Sequence, residues 1–306
     1  MAFWRRQNSG NARVFGPEEI KGQSGGIWLY TVGLGKRLGS SGKAVRKVRR
    51  AFVRLARQTL KRFDIGVTRY SHLQQLEEKS RAGDDIQLIL ELPRQHTAQL
   101  FGVLRDSRSQ FRQDLFVLSE LDFKRNGFFV EFGATNGVDC SNTHLLEKGF
   151  GWNGVLAEPA KCWHADLRRN RTSHIETDCV WSDSNSTLAF NELGALSTIA
   201  SYVSSDFHSQ ERKLGKRYSV KTISLEDLLD KYDAPKKIDY LSIDTEGTEY
   251  EVLSNFNFDK YQFRVITVEH NRTQRREEIL KLLTELGYVR KLEKLSKFDD
   301  WYVKAH

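Results

Sequence analysis

Cysteine and proline are scarce in this sequence: among 306 residues there are three cysteines and four prolines. The cysteines are odd in number and show no C-x-x-C spacing, which argues against a disulfide framework and against a zinc site. We therefore expect free thiols that serve as small core residues, as is typical of a reducing compartment. They are Cys140, Cys162 and Cys179.

Long hydrophobic runs are also missing. No stretch approaches the length of a transmembrane helix, and the basic residues near Met1 are not followed by the apolar run of a secretory signal. The composition, with 39% hydrophobic residues and six tryptophans, nevertheless predicts a substantial core. We therefore expect a cytoplasmic protein with either one large domain and an appendage or two domains.

Acidic residues are absent from residues 36–62, which contain eleven lysines and arginines, and the net charge of the whole chain is +8. Apolar residues recur at three- and four-residue steps from Val45 to Phe63, so the pattern predicts a basic amphipathic helix over about residues 43–63. We favour docking of this helix on the rest of the chain, with a solvated basic face. Peripheral binding to the anionic inner membrane surface is the second interpretation, and nucleic acid is the least favoured partner.

The pattern of the sequence changes near residue 105. Residues 1–35 are rich in Gly, Ser, Asn and Gln and are expected to be irregular or disordered, whereas residues 73–79 and 84–92 are predicted helices. Beyond residue 105, apolar runs alternate with helical segments, which is typical of a parallel sheet with helices on both faces. We therefore predict a partly disordered, helical N-terminal extension at 1–105 and an α/β domain at 106–306, which closes with an antiparallel hairpin.

The segment from Gly127 to Gly137 is the feature around which the α/β domain is organised. It begins as a short apolar run that predicts a buried strand, and it then breaks into the turn Gly133-Ala134-Thr135-Asn136-Gly137 before a helical segment. A strand, a glycine-containing turn and a helix are how α/β sheets hold nucleotide-like cofactors. On its own, this turn is equally consistent with an ordinary strand-to-helix connection.

Acidic side chains follow the predicted strands, and the carboxyl ends of parallel strands share one edge, where ligands bind. Glu158 lies 25 residues after Gly133, near the offset expected for the acid that binds a ribose. The turn lacks the third glycine of a dinucleotide motif and the lysine of a P-loop, so S-adenosylmethionine fits better than a ligand with a pyrophosphate. The polar residues at this edge are Glu131, Glu158, Asp178, Asp244, Glu246, Glu269 and His270.

Several blocks, in this order and spacing, resemble the FkbM-type S-adenosylmethionine-dependent methyltransferases over about residues 109–305. They are Ser109-Gln110 with Gln113-Asp114, residues 129–137, Ser141-Asn142-Thr143, Ala157-Glu158-Pro159, Ile243-Asp244-Thr245-Glu246-Gly247 with Glu249, and Val268-Glu269-His270. The resemblance implies a Rossmann-like class I methyltransferase with a seven-stranded, mostly parallel sheet and an antiparallel strand at its C-terminal edge. Members often methylate oxygen in sugars, glycans or secondary metabolites.

The resemblance also implies roles for single residues. Glu131 would face the methionine part of the cofactor together with Gly133, Ala134, Thr135, Asn136 and Gly137. Glu158 would bind the ribose, and Asp178 and Cys179 would border the adenine. Asp244, Glu246, Glu269 and His270 would line the side on which the methyl group is transferred. Glu131 departs from the many members that carry Asp there.

Transfer of a methyl group to a hydroxyl requires a base that removes a proton. His270 is the first candidate because the ordinary pKa of histidine lies near neutral pH, and Asp244 is the alternative base or orients it. A core or capping histidine is the other interpretation of His270. Asp244 and Glu246 could also hold a divalent ion, but we predict no metal because no third ligand is evident.

The leading prediction is therefore an O-methyltransferase with a small-molecule or glycan acceptor. A protein that keeps this fold and binds S-adenosylmethionine without turnover is the second hypothesis. A nicotinamide-dependent oxidoreductase is disfavoured by the missing third glycine. The sequence has no motif that names the acceptor.

Overall fold

A computed structural model describes residues 70–202 and 212–305, with side chains from residue 79 onward. The segment predicted to be disordered (1–35), the predicted basic helix (about 43–63) and the basic stretch proposed for membrane contact (36–62) lie outside the described residues. Among the described helices, none is both long and apolar enough to cross a membrane.

Helices and strands alternate over residues 113–176 and again over residues 216–304, as the sequence predicts. The described α-helices are α1 (Tyr70–Glu91), α2 (Thr97–Val103), α3 (Gln113–Glu120), α4 (His144–Phe150), α5 (His164–Asn170), α6 (Leu225–Lys231), α7 (Glu249–Ser254), α8 (Arg275–Glu285) and α9 (Glu293–Ser296). The strands are β1 (Phe128–Phe132), β2 (Asn153–Ala157), β3 (His174–Glu176), β4 (Cys179–Trp181), β5 (Thr187–Glu192), β6 (Thr198–Ile199), β7 (Lys216–Ser224), β8 (Lys237–Ile243), β9 (Gln262–Glu269), β10 (Tyr288–Lys291) and β11 (Asp299–Lys304).

Seven strands form the main sheet in the order β10-β11-β9-β8-β1-β2-β3. The pairs β1–β2, β1–β8, β2–β3 and β8–β9 are parallel, whereas β11 is antiparallel to both β9 and β10. The predicted α/β class with a seven-stranded, mostly parallel sheet is therefore confirmed. The antiparallel strand β11 lies one place inside the edge, which β10 occupies.

A second sheet, of order β4-β7-β5-β6, forms from the segment after β3. The segment of residues 179–224 supplies all four strands, and we name it the insertion. Its pairs β5–β6 and β5–β7 are antiparallel, and β4–β7 is parallel. This small sheet therefore starts directly after β3, at the residues that the family resemblance assigns to the border of the adenine.

The main sheet has one hydrophobic cluster on each face because side chains alternate along a strand. In β1, Val130 and Phe132 belong to the cluster that includes residues of α6, α7 and α8. Phe129 faces the opposite way, into the cluster that includes residues of α1, α3 and α4. Helices thus cover both faces, and the loops at the ends of the parallel strands remain available for a site.

Helix α1 is a single helix, so the prediction of two separate helices at 73–79 and 84–92 was wrong. Gly83 lies inside it, and an isolated glycine weakens a helix without ending it. The buried residues Leu88, Ile89 and Leu92 belong to the same cluster as Phe129. The compact unit that contains the sheet runs from residue 82 to residue 306, which is earlier than the boundary near residue 105 that the change in pattern indicates.

A buried ion network fixes the loop between β1 and α4. The guanidinium of Arg171 donates from Nε to Glu147 Oε2 at 2.9 Å, and its Nη1 lies 3.7 Å from Glu131 Oε2. Arg171 is only 3% exposed, and it also donates to the carbonyl of Gly137. Burial alone would raise the pKa of Glu147, but Arg171 and the surrounding donors lower it to about 2. Both acids therefore share the cation of Arg171, and Glu147 also pairs with Lys148 at 2.8 Å.

We expect Arg171→Met to lower the free energy of unfolding by about 3–5 kcal/mol at pH 7, measured by urea denaturation. The substitution leaves two buried carboxylates without their shared cation, which is far more costly than losing an exposed ion pair.

Arg169→Met is the matched control, because Arg169 lies in the last turn of α5, two residues before Arg171, with its side chain 70% exposed and paired with Asp166. We expect a change below about 1 kcal/mol for that variant. Equal destabilisation by the two substitutions would contradict the buried network.

Candidate active site

The predicted site residues lie at or directly after the carboxyl ends of five parallel strands, β1, β2, β3, β8 and β9. This edge is formed by neighbours in the sheet, because β8, β1 and β2 lie side by side between β9 and β3. Residues that are more than 100 positions apart in the sequence are thereby brought to one edge.

The turn after β1 packs directly on the ends of its two neighbouring strands. The amides of Gly133 and Ala134 both donate to the carbonyl of Ala157 at the end of β2, at 3.1 and 3.4 Å. Gly133 has φ +75°, and a Cβ on it would lie 1.9 Å from the carbonyl oxygen of Asp244, after β8. Only glycine allows this approach of two backbones, so Gly133 sets how the turn meets Asp244.

Glu131 lies at this edge, but its carboxylate is engaged by the protein itself. Its oxygens accept hydrogen bonds from the amide of Asn142 at 2.6 Å and from the hydroxyl of Thr143 at 2.5 Å. The hydroxyl of Ser141 donates to it as well, at 3.1 Å. The residue is 3% exposed. Glu131 therefore fixes the loop that follows the turn. The sequence predicted only a contact of Glu131 with the cofactor, and not this structural role.

Glu158, directly after β2, is buried and closes onto the same turn. Its carboxylate accepts hydrogen bonds from the amide of Thr135 at 2.7 Å and from the amide of Ala160 at 2.8 Å. Burial raises the pKa of Glu158 to about 7, although both amide donors favour the ionised form. The carboxyl group can therefore change its charge near neutral pH, and each oxygen keeps a lone pair for a further donor.

Asp178 and Cys179 follow β3, and Cys179 is the first residue of β4. Asp178 is half-buried, and its amide donates to Glu176 Oε1 at 3.0 Å. Cys179 is 6% exposed, and burial raises the pKa of its thiol to about 12. The thiol therefore stays neutral and contributes an apolar surface at this end of the sheet.

Three carboxyl groups converge after β8 and β9. Asp244, Glu246 and Glu269 have ligand oxygens that all lie within 4.8 Å of one another. Burial raises the pKa of Asp244 to about 6 and raises the pKa of Glu269 well above its ordinary range. The Oε2 atom of Glu269 is buried without a hydrogen-bond partner. We name these three residues the acid cluster.

Two polar side chains that the sequence did not predict bind Glu246. The guanidinium of Arg212 forms an ion pair with Glu246 Oε2, and Asn271 Nδ2 donates to the same oxygen at 3.1 Å. Arg212 lies in the insertion, where no motif marks it. The turn between β8 and α7 is held by Glu249, whose Oε1 accepts from the amides of Thr245 and Gly247 at 3.1 and 3.0 Å.

A further buried acid, Asp299, lies at the start of β11 and was not predicted either. Burial raises its pKa to about 8, and the side chain of Gln113 donates to its Oδ2 at 2.5 Å. Gln113 belongs to the block before β1 on which the family resemblance rests. Asp299 therefore links that block to this edge of the sheet and adds to the acidity around Asp244.

His270 follows Glu269 and is 4% exposed. Its Nδ1 accepts a hydrogen bond from the amide of Arg272 at 2.9 Å, so in the neutral ring the proton is on Nε2. The Nε2 atom lies 4.0 Å from Asp300 Oδ1, and burial lowers the pKa of the ring. In this arrangement the lone pair of the neutral ring is already used, so His270 supports the turn after β9.

The geometry also bears on a divalent ion. Glu269 supplies the third carboxylate that was not evident from the sequence, so the acid cluster could hold such an ion. Arg212, however, already brings a positive charge to Glu246. The acid cluster thus has a partial charge balance from the protein itself, and we continue to treat a metal as the weaker alternative.

Comparison with known proteins gives a family match. The model of the methyltransferase FkbM domain matches residues 131–290. No curated protein sequence matches the chain. Among solved structures, a precorrin-6y C5,15-methyltransferase from Geobacter metallireducens has 11% identity, covers 58% of this chain and 71% of its own and has a TM-score of 0.34. A TehB-like SAM-dependent methyltransferase from Corynebacterium glutamicum has 7% identity. The match covers 69% of this chain and 97% of that methyltransferase, with a TM-score of 0.35.

We expect Gly133→Ala to lower the free energy of unfolding by about 3 kcal/mol, measured by urea denaturation. The added Cβ would lie 1.9 Å from a backbone oxygen, and alanine is strained at φ +75°, so both overpacking and backbone strain contribute.

Gly102→Ala provides the control, since Gly102 lies in α2 and a Cβ there would have no atom within 4 Å. That change is expected to stabilise the protein by about 0.5–1 kcal/mol, because alanine favours the helix. A neutral Gly133→Ala would show that the turn does not need this close backbone approach.

Proposed function

We propose, from the premise that the chain belongs to the FkbM methyltransferase family, that it transfers a methyl group from S-adenosylmethionine to a hydroxyl of a sugar, glycan or secondary metabolite. The observation that carries the proposal is the acid cluster with the unpartnered Oε2 of Glu269 at the ligand-binding edge of the sheet. A buried carboxyl oxygen that lacks a partner, next to a second acid that can ionise, favours a ligand that brings a hydrogen-bond donor or a positive charge.

The residues at this edge fit S-adenosylmethionine, which carries a sulfonium and an ammonium group and supplies an activated methyl group when bound. Glu158 offers lone pairs at the end of β2 for the ribose hydroxyls. The turn Gly133–Gly137 would lie against the methionine part, and Asp178 with the apolar thiol of Cys179 would border the adenine. Glu131 acts on this ligand only through the loop that it fixes.

The acid cluster can supply the base for a hydroxyl acceptor. Burial raises the pKa of Asp244 to about 6, which brings a carboxylate close to the range in which it can accept a proton at neutral pH. Glu269 has the more strongly raised pKa and so holds a proton more firmly, which leaves Asp244 as the ionised member of the pair. We therefore assign proton removal to Asp244, with Glu246 held beside it by Arg212.

His270 is the less favoured base in this proposal. Its Nδ1 already accepts the amide of Arg272, and its buried ring favours the neutral form with the proton on Nε2. To act as a base, the ring would first have to break the hydrogen bond that supports the turn. His270 is better suited to positioning Glu269 and Arg272 on either side of it.

We expect the affinity for S-adenosylmethionine to rise about tenfold between pH 6 and pH 8, measured by isothermal titration calorimetry. The reason is the pKa of Glu158 at about 7: the protonated form, which prevails below pH 7, loses an acceptor for the ribose, and the ionised form regains it above pH 7. Glu158→Gln should bind about tenfold more weakly at pH 8 and should lose most of this pH dependence.

Glu278→Gln is the matched control, because it removes a carboxylate from an exposed position of α8. We expect this variant to keep the affinity and the pH dependence of the wild type. If Glu158→Gln kept both the affinity and the pH profile of the wild type, the assignment of Glu158 to the ribose would be wrong. Absence of binding by the wild type at every pH would contradict the proposed function itself.

Methylation of oxygen can be tested with S-adenosylmethionine that carries a deuterated methyl group. We expect a labelled methyl ether on a member of a panel of neutral and acidic sugars, detected by mass spectrometry and located on oxygen by NMR. Asp244→Asn should reduce this labelling at least tenfold at saturating cofactor, because it removes the base and keeps the size of the side chain.

Asp183→Asn is the control, since it changes an exposed residue of the insertion. We expect this variant to transfer the labelled methyl group as well as the wild type does. Label found only on nitrogen or sulfur would overturn the assignment to hydroxyl acceptors. Tight cofactor binding without any transfer across the panel would favour the second hypothesis, a binding or regulatory protein.

A further inference from the structure

An open cleft of about 710 Å³ lies beside the turn that follows β9. Four cationic side chains line it, Arg272, Arg276, Lys294 and Lys297, together with the two acids Glu277 and Glu293. His270 also lines it, and His270 follows Glu269 of the acid cluster directly. A cleft with an excess of cations therefore adjoins the edge where the acidic groups converge.

The turn that borders this cleft has an unusual backbone. Asn271 and Arg272 have φ values of 42° and 56°, a region that residues with a side chain rarely adopt. Hydrogen bonds hold it on both sides: the amide of His270 donates to the carbonyl of Phe298, and the carbonyl of His270 accepts from the amide of Thr273, both at 2.8 Å. Two successive strained residues that the surroundings hold in place are typical of a functional turn.

Two of the four cations are already neutralised. Arg276 binds both oxygens of Asp300 at 2.8 Å, and Lys297 forms an ion pair with Asp84. For Arg272 and Lys294, by contrast, no acidic partner is found within residues 79–202 and 212–305. Arg272 rests over the ring of Phe298, with its Cζ 5.0 Å from the ring centre. These two exposed cations are therefore available to a ligand.

The buried ring of His270 adds a neutral donor beside them. Its Nδ1 accepts from the amide of Arg272, so the proton lies on Nε2, and Nε2 has no hydrogen-bond partner in the described part of the chain. The turn from His270 to Thr273 thus separates two regions of opposite charge. Along the chain, Glu269 of the acid cluster comes directly before this turn. Arg272, within the turn, and Lys294, further along the chain, line the cleft.

We propose that this cleft binds a negatively charged group of the acceptor, a phosphate or a carboxylate carried by a sugar-sized molecule, through Arg272 and Lys294. The proposal rests on the proposed function, since it names the class of acceptor for the same site. A volume of about 710 Å³ exceeds what one phosphate needs and suits a sugar that carries the charge. Repulsion by the acid cluster orients such a molecule, with its anionic end in the cleft and a hydroxyl toward Asp244.

The test measures binding of glucose 1-phosphate, glucuronate and neutral glucose to the full chain by calorimetry, with and without S-adenosylhomocysteine. We expect at least one of the two charged sugars to bind ten times more tightly than glucose, and to lose that advantage at high salt. Arg272→Gln with Lys294→Gln should reduce the difference between charged and neutral sugar to less than threefold. The preferred charged sugar identifies the anionic group.

Arg264→Gln with Lys281→Gln is the matched control. Arg264 lies near the opposite end of β9 from the cleft, and Lys281 is an exposed residue of α8, so the net charge changes equally away from the cleft. Equal losses in the two double variants, or equal binding of all three sugars to the wild type, would overturn the proposal.

Titration with S-adenosylmethionine separates this proposal from the proposed function. The variant at Arg272 and Lys294 should bind the cofactor as the wild type does, and loss of cofactor binding there would assign the two cations to the cofactor and overturn the proposal. If the wild type binds a charged sugar but no S-adenosylmethionine, the proposed function fails while the anion-binding cleft stands.

Discussion

The carboxylate of Glu131 holds the loop after β1, and the rest of the candidate site is positioned from that loop. Its oxygens bind donors at residues 141–143, while Arg171 joins Glu131 to Glu147 and to the carbonyl of Gly137. The fixed loop lets the turn at Gly133 meet the backbone of Asp244. The buried ion network thus connects the stability of the fold with the arrangement of its active edge.

The charges at this edge are arranged by burial. Carboxyl groups after β2, β8, β9 and at the start of β11 have raised pKa values because they are withdrawn from water. Arg212 forms an ion pair with Glu246, while Asp244 and Glu269 add two more acidic groups to the same cluster. Beyond His270 the sign reverses, and the cations of the cleft follow. A cationic part of a ligand would therefore bind beside the acid cluster, and an anionic part would bind in the cleft beyond the turn at His270.

Much of this edge could be predicted from the sequence because it depends on local patterns. The buried strands β1, β2, β8 and β9 are short apolar runs, and each run is followed by a polar residue, which gives Glu158, Asp244 and Glu269 without any knowledge of the packing. Arg171 and Arg212 could not be predicted, since their partners lie 24 and 34 positions away and no periodicity marks them.

The choice of base illustrates why a residue type alone is a weak guide to a role. A histidine after β9 suggests general-base catalysis because its ordinary pKa suits neutral pH. Its actual surroundings oppose this role: the lone pair of Nδ1 is used by the amide of Arg272, and burial favours the neutral ring. The same burial acts in the opposite direction on a carboxyl group, since it raises the pKa of Asp244 to about 6. Burial therefore shifts the pKa values of the two groups toward each other, so the ordinary pKa values of the side chains no longer decide which of them is the base.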